Sequence, residues 1–283
     1  MNTRHWAAIG VMRCAVIALA SVLALAGCAD AGGGSLTLRV MTYNIHHGEG
    51  TDGVFDLARL AAVIAAQDPD LVALQEVDRG TSRASGVDQA AELARLTGMH
   101  HLYGAAMPYQ AGEYGEAILS RWPIEEAITR ALPKIEGSEP RALVVIGVHP
   151  ADPKKRLLGP IYFAGTHLAH DSGLDTLEQA RLIASILSSP PHDDATIILA
   201  GDLNAPPPTP TMAYLLEEAG YRDAFADDPR PTFPSGAPDR RIDWILLRAP
   251  PGLNITVVGT EVIDDPIATD HCAVVADIVI ERR

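Results

Sequence analysis

One short stretch constrains this chain more than any other: an apolar run that stops abruptly at polar residues and prolines. Residues 195–200 are small, β-branched or otherwise apolar, which predicts a buried strand. Asp202 and Asn204 follow two positions apart, so in an extended chain they would share a face. The prolines at 206–208 cannot continue a central strand. The stretch therefore predicts a carboxylate and an amide at the edge where open α/β sheets bind ligands, with a polar turn that closes a strand as the alternative.

Similar polar residues end other predicted strands along the chain. They comprise one amide, three carboxylates and two histidines: Asn44, Glu76, His167, Asp243, Asp270 and His271. Taken singly, Glu76 and His167 would be interpreted as solvated residues after a strand. Asp243 differs because it lies inside an apolar run, where an unpaired charge is costly and needs a histidine or a metal as its partner.

Together these side chains suit the hydrolysis of a phosphate ester. Their oxygens are the ligands that Mg²⁺, Mn²⁺ or Ca²⁺ prefers, and histidines backed by carboxylates suit acid–base catalysis near neutral pH. In such a reaction the metal neutralises phosphoryl oxygens while a base activates water. His46 and His47 could lie near the mouth of this site, but a solvated loop is the preferred interpretation.

The remaining pattern predicts a mixed α/β architecture. Amphipathic segments predict helices after Asp56, over 87–97 and over 174–187, and apolar runs between them predict short strands. Hairpin-like spacing in the middle of the chain, with a loop over 109–115, argues against a purely parallel sheet. We therefore expect two mixed sheets with the helices outside them.

Composition narrows the classes of partner. Hydrophobic residues are 47% of the 283, enough for a sizeable core, and the formal net charge is −14. So acidic a chain is unlike proteins whose affinity depends on neutralising many phosphates, and an aromatic content of 5% leaves few platforms for stacking bases. Cys272 is the only cysteine after residue 28, so no disulfide framework can form there, and we interpret it as a buried structural thiol.

The motifs around the strand ends resemble, in order, those of the endonuclease/exonuclease/phosphatase superfamily, which has the deoxyribonuclease I-like fold. They are TYNI at 42–45, ALQEV at 73–77, THL at 166–168, GDLN at 201–204, RIDWI at 241–245 and TDH at 269–271. The resemblance covers about residues 37–280. It implies a four-layer α-β-β-α sandwich, in which two stacked mixed sheets are flanked by helices and share one edge that carries the site.

The resemblance also implies roles for individual residues. The ligands of Mg²⁺ or Mn²⁺ would be Asn44, Glu76 and Asp270. Asp202 would orient or deprotonate the attacking water, Asn204 and His167 would contact the phosphate, and Asp243 would hold and polarise His271. Both Asp202 and His271 remain candidates for the catalytic base.

Two further positions bear on substrate binding. Arg141 begins a predicted strand and is a candidate phosphate contact. Glu116 lies in a segment that is similar to the family's Gly-Asn-Ala-Ile-Leu-Ser, where the family has a neutral amide. The additional carboxylate would repel a phosphate unless a cation or an arginine compensates its charge.

The N-terminal segment predicts export. Residues 1–28 combine early arginines with an apolar run as long as a signal peptide core, and the run ends in Leu25-Ala26-Gly27-Cys28, which resembles the lipobox of bacterial lipoproteins. Cleavage after Ala26, giving a soluble secreted protein, is the main alternative, and an uncleaved anchor is the third. Residues 29–35 are then a flexible tether and 36–283 the catalytic domain.

The substrate is less constrained, because this fold serves many phosphoesters. The acidic body and a lipid anchor on Cys28 favour a small-molecule or lipid-linked phosphoester outside the cytoplasm, cleaved by a membrane-attached monomer. An extracytoplasmic Mg²⁺-dependent endonuclease is the alternative enzyme, although nucleic acid is a disfavoured partner. A non-catalytic binding module on the same scaffold is the alternative of another class.

Overall fold

The computed structural model describes residues 34–150, 152, 155–171 and 173–283. The predicted signal peptide, most of the predicted tether and Cys28 lie outside these residues. In the part of the chain that is described, no helix has the length and apolar character needed to cross a membrane.

The described residues form twelve strands. In chain order these are β1 (Leu36–Asn44), β2 (Leu71–Arg79), β3 (His100–Tyr109), β4 (Gly112–Ser120), β5 (Glu126–Ala131), β6 (Ala142–Val148), β7 (Ile161–His167), β8 (Thr196–Asp202), β9 (Arg222–Asp223), β10 (Asp243–Arg248), β11 (Leu253–Ile263) and β12 (Ala273–Arg282). They make two six-stranded sheets, ordered β11-β12-β1-β2-β4-β3 and β5-β6-β7-β8-β10-β9. Both sheets are mixed, since β1–β2 and β7–β8 are parallel and their other neighbours are antiparallel.

Four helices cover the sheets: α1 (Leu57–Gln67), α2 (Gln89–Thr97), α3 (Gly173–Leu187) and the short α4 (Pro210–Ala213), which continues as a π-helical turn over Tyr214–Glu218. Asp56 and Asp88 start α1 and α2, because each side chain accepts a hydrogen bond from a backbone N–H three residues on, at 3.0 Å. Gly98, with φ of 70°, ends α2 in the left-handed conformation that glycine tolerates best.

Three buried apolar clusters hold the layers together. The central one joins the inner faces of both sheets, including Val40 of β1 and Phe163 of β7. The outer two pack α1 and α2 on the first sheet and α3 and α4 on the second. Full burial of a side chain such as Phe163 contributes about 1.5–3 kcal/mol, so the packing of the two sheets stabilises the fold. The predicted α-β-β-α sandwich is confirmed.

Some strands differ from the sequence prediction, and the hairpin of β3 and β4 and the edge strand β5 are two examples. The predicted loop over 109–115 is mostly strand, because β3 and β4 form a tight hairpin turned by Gln110 and Ala111. β5 was not predicted: its exposed, charged sequence lacks an apolar face, and it forms because it pairs with the buried strand β6 at the edge of the sheet.

The pairing of the strands brings their polar ends to one edge. Asn44 of β1 is paired with Gln75 of β2, next to Glu76, and His167 of β7 is paired with Asp202 of β8. Asp202 is also paired with Asp243, the first residue of the antiparallel strand β10. Because the two sheets are stacked, these ends meet across the sandwich.

Candidate active site

A cavity of about 440 Å³ lies at this shared edge. Seven of the residues singled out in the sequence line it: Glu76, Arg141, His167, Asp202, Asn204, Asp270 and His271. Asn44 and Asp243 are buried beneath it and reach the lining residues through hydrogen bonds. The structure thus brings together all nine residues, which the chain spreads over more than 200 positions.

Asn44 connects the two sheets at the floor of the site. Its Nδ2 donates to Oε1 of Glu76 at 3.1 Å and to Oδ2 of Asp202 at 3.2 Å, and it lies 3.4 Å from Nε2 of His271. The Thr269 hydroxyl donates to the Asn44 carbonyl at 3.0 Å. One amide therefore fixes the relative positions of side chains that come from four segments of the chain.

Glu76 is directed into the cavity by an irregularity in β2. The pairing of β2 with β4 shifts register between Leu74 and Val77, and Glu76 has a φ of 59°. Left-handed backbone at a residue with a Cβ is unfavourable and is found where a side chain must be aimed. The local backbone is thus arranged for the orientation of this carboxylate.

His271 and Asp243 form a buried pair. Nδ1 of His271 lies 3.1 Å from Oδ2 of Asp243, and that same oxygen accepts a hydrogen bond of 2.6 Å from the Thr232 hydroxyl. Burial alone would lower the pKa of His271, but the charge and hydrogen bond of Asp243, followed by the charge of Asp202, raise it to about 10. The ring therefore carries a positive charge at neutral pH.

Asp202 occupies the centre of the site. Its Oδ2 lies 3.3 Å from Nε2 of His167 and 3.6 Å from Nε2 of His271. Burial, followed by the charge of Asp243, raises the pKa of Asp202 to about 7, although His271 and the hydrogen bond from the Asn204 amide act in the opposite direction. A carboxylate whose pKa is raised in this way holds a proton more readily, as a general base must when it accepts one.

Arg141 is a buried cation in the wall of the cavity. Its Nη1 lies 2.8 Å from Oε1 of Glu139 and 3.2 Å from Nδ1 of His167, and its Nη2 lies 3.2 Å from Nδ1 of His170. Its Nε is buried without a hydrogen-bond partner among the described residues. Burial, and then the charge of Arg141, lower the pKa of His167 well below its usual value, so this ring is neutral.

The backbone at Asn204 is not extended, as the sequence interpretation had assumed. It has a φ of 47°, and its backbone N–H donates to Oδ1 of Asp202 at 3.0 Å. Its Nδ2 donates to the Leu168 carbonyl at 3.0 Å and lies 2.9 Å from Nε2 of His167. A turn, and not the alternation of a strand, therefore places Asn204 beside Asp202.

Glu116 does not add a negative charge to the site. Its side chain is fully buried on β4, and both carboxyl oxygens lack a hydrogen-bond partner among the described residues. Burial raises the pKa of Glu116 well above its usual value, more than the charge of Arg141 lowers it. Burial therefore favours the neutral carboxyl group, which would not repel a phosphate as a carboxylate would.

The interpretation of His46 and His47 as a solvated loop was wrong. They form a 3₁₀ turn with Gly48 directly after β1, and both rings are half-buried. Burial, and then the charge of Arg83, lower the pKa of His47 to about 4. The sequence carried a usable signal, since the two histidines follow Asn44 by only two and three positions.

Comparison with known proteins agrees with the fold. The profile of the Endonuclease/Exonuclease/phosphatase family matches residues 41–271. A protein of Escherichia coli strain K12, YbhP, described only as uncharacterized, is 26% identical over 223 residues, which are 75% of this chain and 85% of YbhP.

Two solved structures illustrate the structural similarity. An endonuclease/exonuclease/phosphatase from Beutenbergia cavernae is 28% identical, with a TM-score of 0.66 over 86% of this chain and 71% of that one. A mannosyl-6-phosphatase from Bacteroides thetaiotaomicron is 18% identical, with a TM-score of 0.70 over 85% of this chain and 99% of that one. At this identity the second comparison speaks for the fold alone.

Proposed function

Because this chain belongs to the endonuclease/exonuclease/phosphatase family, we propose that it hydrolyses a small-molecule or lipid-linked phosphoester with the help of Mg²⁺ or Mn²⁺. One observation carries this proposal: the buried cation of Arg141 faces the same cavity as Asp202 and His271. A fixed positive charge, a buried carboxylate with a raised pKa and an imidazole paired with a carboxylate are groups that phosphoester hydrolysis uses.

In this proposal Arg141 and His271 bind the non-bridging phosphoryl oxygens. Guanidinium groups bind phosphate well because their N–H groups match its oxygens in geometry and charge. Both cations are held in place before substrate arrives, by Glu139 and by Asp243. They therefore stabilise the charge that develops in the transition state without having to reorganise.

Asp202 is proposed as the base. It takes a proton from water, whose oxygen attacks phosphorus while the ester bond breaks and its electron pair leaves with the departing oxygen. His271 is less suited to this role, because the charge of Asp243 raises its pKa and favours the protonated ring. Asn204, whose backbone N–H donates to Oδ1 of Asp202 at 3.0 Å, keeps the carboxylate oriented.

The donor atoms fit the metal that the family implies. Glu76 and Asp270 line the same cavity, and the Asn44 amide lies against the Glu76 carboxylate. The two carboxylates offer the oxygen ligands that suit Mg²⁺ or Mn²⁺, whereas Asn44 turns its nitrogen toward Glu76 and its Oδ1 accepts a hydrogen bond from the His46 N–H. When bound, such an ion supplies charge neutralisation of the phosphate.

The size and lining of the cavity favour a small substrate. A volume of about 440 Å³ is in the range of sites for small ligands, roughly 300–1,000 Å³. Besides Arg141, the lining includes Arg83 and Arg240 together with Tyr109, Tyr114 and Phe233. These side chains can hold a phosphate and a flat or apolar group, whereas the acidic chain as a whole is unsuited to a long polyanion.

The test compares several phosphoesters in one panel. We would measure turnover of plasmid DNA, bis(p-nitrophenyl) phosphate, mixed phospholipid vesicles and mannose 6-phosphate, each with Mg²⁺, Mn²⁺ or EDTA. The last substrate is included because one structural neighbour is a mannosyl-6-phosphatase. We expect metal-dependent turnover that Asp202→Asn lowers by about 10²–10⁴-fold, while His101→Gln, an exposed histidine, leaves it unchanged.

The panel also separates the alternatives. Preference for plasmid DNA would replace this proposal with the endonuclease. A folded protein that binds metal and turns over none of the substrates would favour the non-catalytic binding module. Loss of turnover in His101→Gln as large as in Asp202→Asn would contradict the assignment of this cavity.

A further inference from the structure

His46, His47 and Glu76 form a second cluster of metal-ligating side chains, beside the proposed Mg²⁺ ligands. One ligand atom of each residue lies within 4.8 Å of the other two, and all three residues are half-buried. We propose that this cluster binds a transition metal ion of the Zn²⁺ type. The site uses two imidazoles that have no part in the phosphoester chemistry above, and it shares only Glu76 with it.

The hydrogen bonds of His46 leave one ring nitrogen ready to bind a metal. Its Nδ1 lies 3.1 Å from the carbonyl oxygen of Glu49. Because a carbonyl oxygen can only accept, Nδ1 carries the proton and the neutral ring keeps its lone pair on Nε2. Metal-binding histidines are commonly oriented in this way, by a carbonyl or a carboxylate on the other nitrogen.

His47 has a buried nitrogen without a partner. Its Nδ1 is buried and has no hydrogen-bond partner among the described residues, while its Nε2 lies 3.8 Å from Oε2 of Glu49. Buried polar atoms without a partner are uncommon and call for an unobserved ligand or water. Glu49 thus sits behind both rings, through its carbonyl for His46 and through its carboxylate for His47.

The backbone of His46 and His47 has an unfavourable, left-handed conformation. His46, His47 and Gly48 have successive φ values of 44°, 45° and 87°. The turn is fixed because the His46 N–H donates to Oδ1 of Asn44 at 3.1 Å and the Gln89 side chain donates to the His47 carbonyl at 2.6 Å. Consecutive left-handed residues with side chains persist where the surroundings enforce them, and such places are often functional sites.

Arg83 is a positively charged side chain near the cluster, and a buried carboxylate is paired with it. Arg83 lies close enough to lower the pKa of His47, and an uncompensated guanidinium would repel a cation. Its Nε and Nη2 are bound to the buried Asp78 carboxylate at 2.6 and 2.9 Å. The Asp78 and Glu49 carboxylates therefore counteract part of the charge of Arg83, which is the largest charge acting on His47.

The donor set selects the class of metal. Two imidazoles and one carboxylate are the ligands of several three-residue zinc sites, whereas Mg²⁺ prefers oxygen ligands alone. Tetrahedral Zn²⁺ with bonds of about 2.0–2.1 Å holds its ligand atoms about 3.4 Å apart. Small side-chain rotations from the present spacing of at most 4.8 Å would reach that arrangement.

The experiment measures metal binding and not catalysis. The full chain, purified without a polyhistidine tag, is titrated with Zn²⁺ by calorimetry in excess Mg²⁺. We expect His46→Gln and His47→Gln each to weaken binding more than about 100-fold, and Glu49→Gln, which acts through the rings, roughly 10–100-fold. His101→Gln keeps wild-type affinity, because that histidine is exposed and lies outside the cluster.

Unchanged Zn²⁺ binding in both His46→Gln and His47→Gln would overturn the proposal, as would equal loss in His101→Gln. Thermal unfolding in EDTA shows whether each variant is folded, and Glu49→Gln keeps the test open if a histidine variant is not. The phosphoester panel is run separately with Mg²⁺ alone. Zn²⁺ binding without turnover would therefore contradict the proposed function and leave the proposed zinc site intact. Turnover with Mg²⁺ but no Zn²⁺ binding would support the proposed function and contradict the zinc site.

Discussion

At the scale of single residues, Glu116 shows how burial decides the chemistry of a side chain. In the sequence it was an additional negative charge beside a phosphate site. In the structure its carboxyl group is fully buried and its pKa is raised well above the usual value. The folded protein therefore holds a proton that the unfolded chain releases at ordinary pH.

This linkage predicts a pH-dependent gain of stability in Glu116→Gln. A group whose pKa is raised on folding contributes its stability below the unfolded pKa of about 4.3 and loses it as the pH rises toward the folded pKa, at up to about 1.4 kcal/mol per pH unit. The variant should unfold like the wild type at pH 4 and be more stable at pH 8. Urea titrations at both pH values measure this, with the exposed Glu136→Gln as the charge control; an equal gain at both pH values would contradict it.

The pair of His271 and Asp243 predicts a change in the pH profile. Removal of the Asp243 charge should lower the pKa of His271, since that carboxylate is the main group that raises it. Asp243→Asn should then shift the alkaline limb of the kcat profile to lower pH and reduce kcat by at least about 10²-fold. Asp239→Asn, whose side chain is exposed, is the matched control. An unshifted alkaline limb would mean that His271 need not be charged.

At the scale of elements, the close approach of β7 and β8 positions Asp202. Gly201 is paired with Thr166 of β7, and a Cβ on Gly201 would overlap with the backbone oxygen of Thr166. The neighbouring backbone has no flexible side chain that could move aside. The absence of a side chain at Gly201 therefore allows the two parallel strands to pair up to the edge of the site.

Gly201→Ala should consequently lower both stability and activity. We expect a loss of at least about 2 kcal/mol in the free energy of unfolding, as for other substitutions that overpack a buried position, and a larger fractional loss of turnover because Asp202 is displaced. Gly173→Ala, at the start of α3 with open space around the added carbon, is the control. Chemical denaturation and the phosphoester assay measure the two effects, and a wild-type result in both would show that the strands can separate without consequence.

Much of the element pattern could be predicted from the sequence, for reasons that also explain what was missed. β6, β7 and β8 are fully buried, and their continuous apolar runs are unmistakable. β5 and the two-residue β9 have no such signal because neighbouring strands, and not their own composition, stabilise them. The left-handed backbone at His46, Glu76 and Asn204 also escaped prediction, since it depends on contacts between distant segments.

At the scale of the whole molecule, the proposal of a compact substrate is supported by a formal net charge of −14 and a cavity of about 440 Å³. The predicted anchor at Cys28 would attach such an enzyme to a membrane, and it lies outside the described residues. It remains a prediction from the resemblance of residues 25–28 to a lipobox.

Replacement of the Cys28 sulfur by oxygen tests the predicted attachment to a membrane. The native protein, produced in a bacterial host, should partition into the detergent phase of a Triton X-114 separation, because an acyl chain adds about 0.8 kcal/mol of membrane affinity per buried CH₂ group. Cys28→Ser should move it to the aqueous phase, and Cys14→Ser should not, since that cysteine precedes the predicted cleavage point. Continued partition of Cys28→Ser into detergent would favour the uncleaved anchor.

The order in which the chain visits its two sheets has a consequence for biosynthesis. Strands β1 to β4 belong to one sheet, β5 to β10 to the other, and β11 and β12 return to the first, where β12 pairs with β1. A ribosome-bound chain that ends before β12 therefore leaves one edge of β1 open and has not placed His271 against Asp243. In the proposed mechanism the active site is therefore completed only when β12, the last strand of the chain, has joined the first sheet.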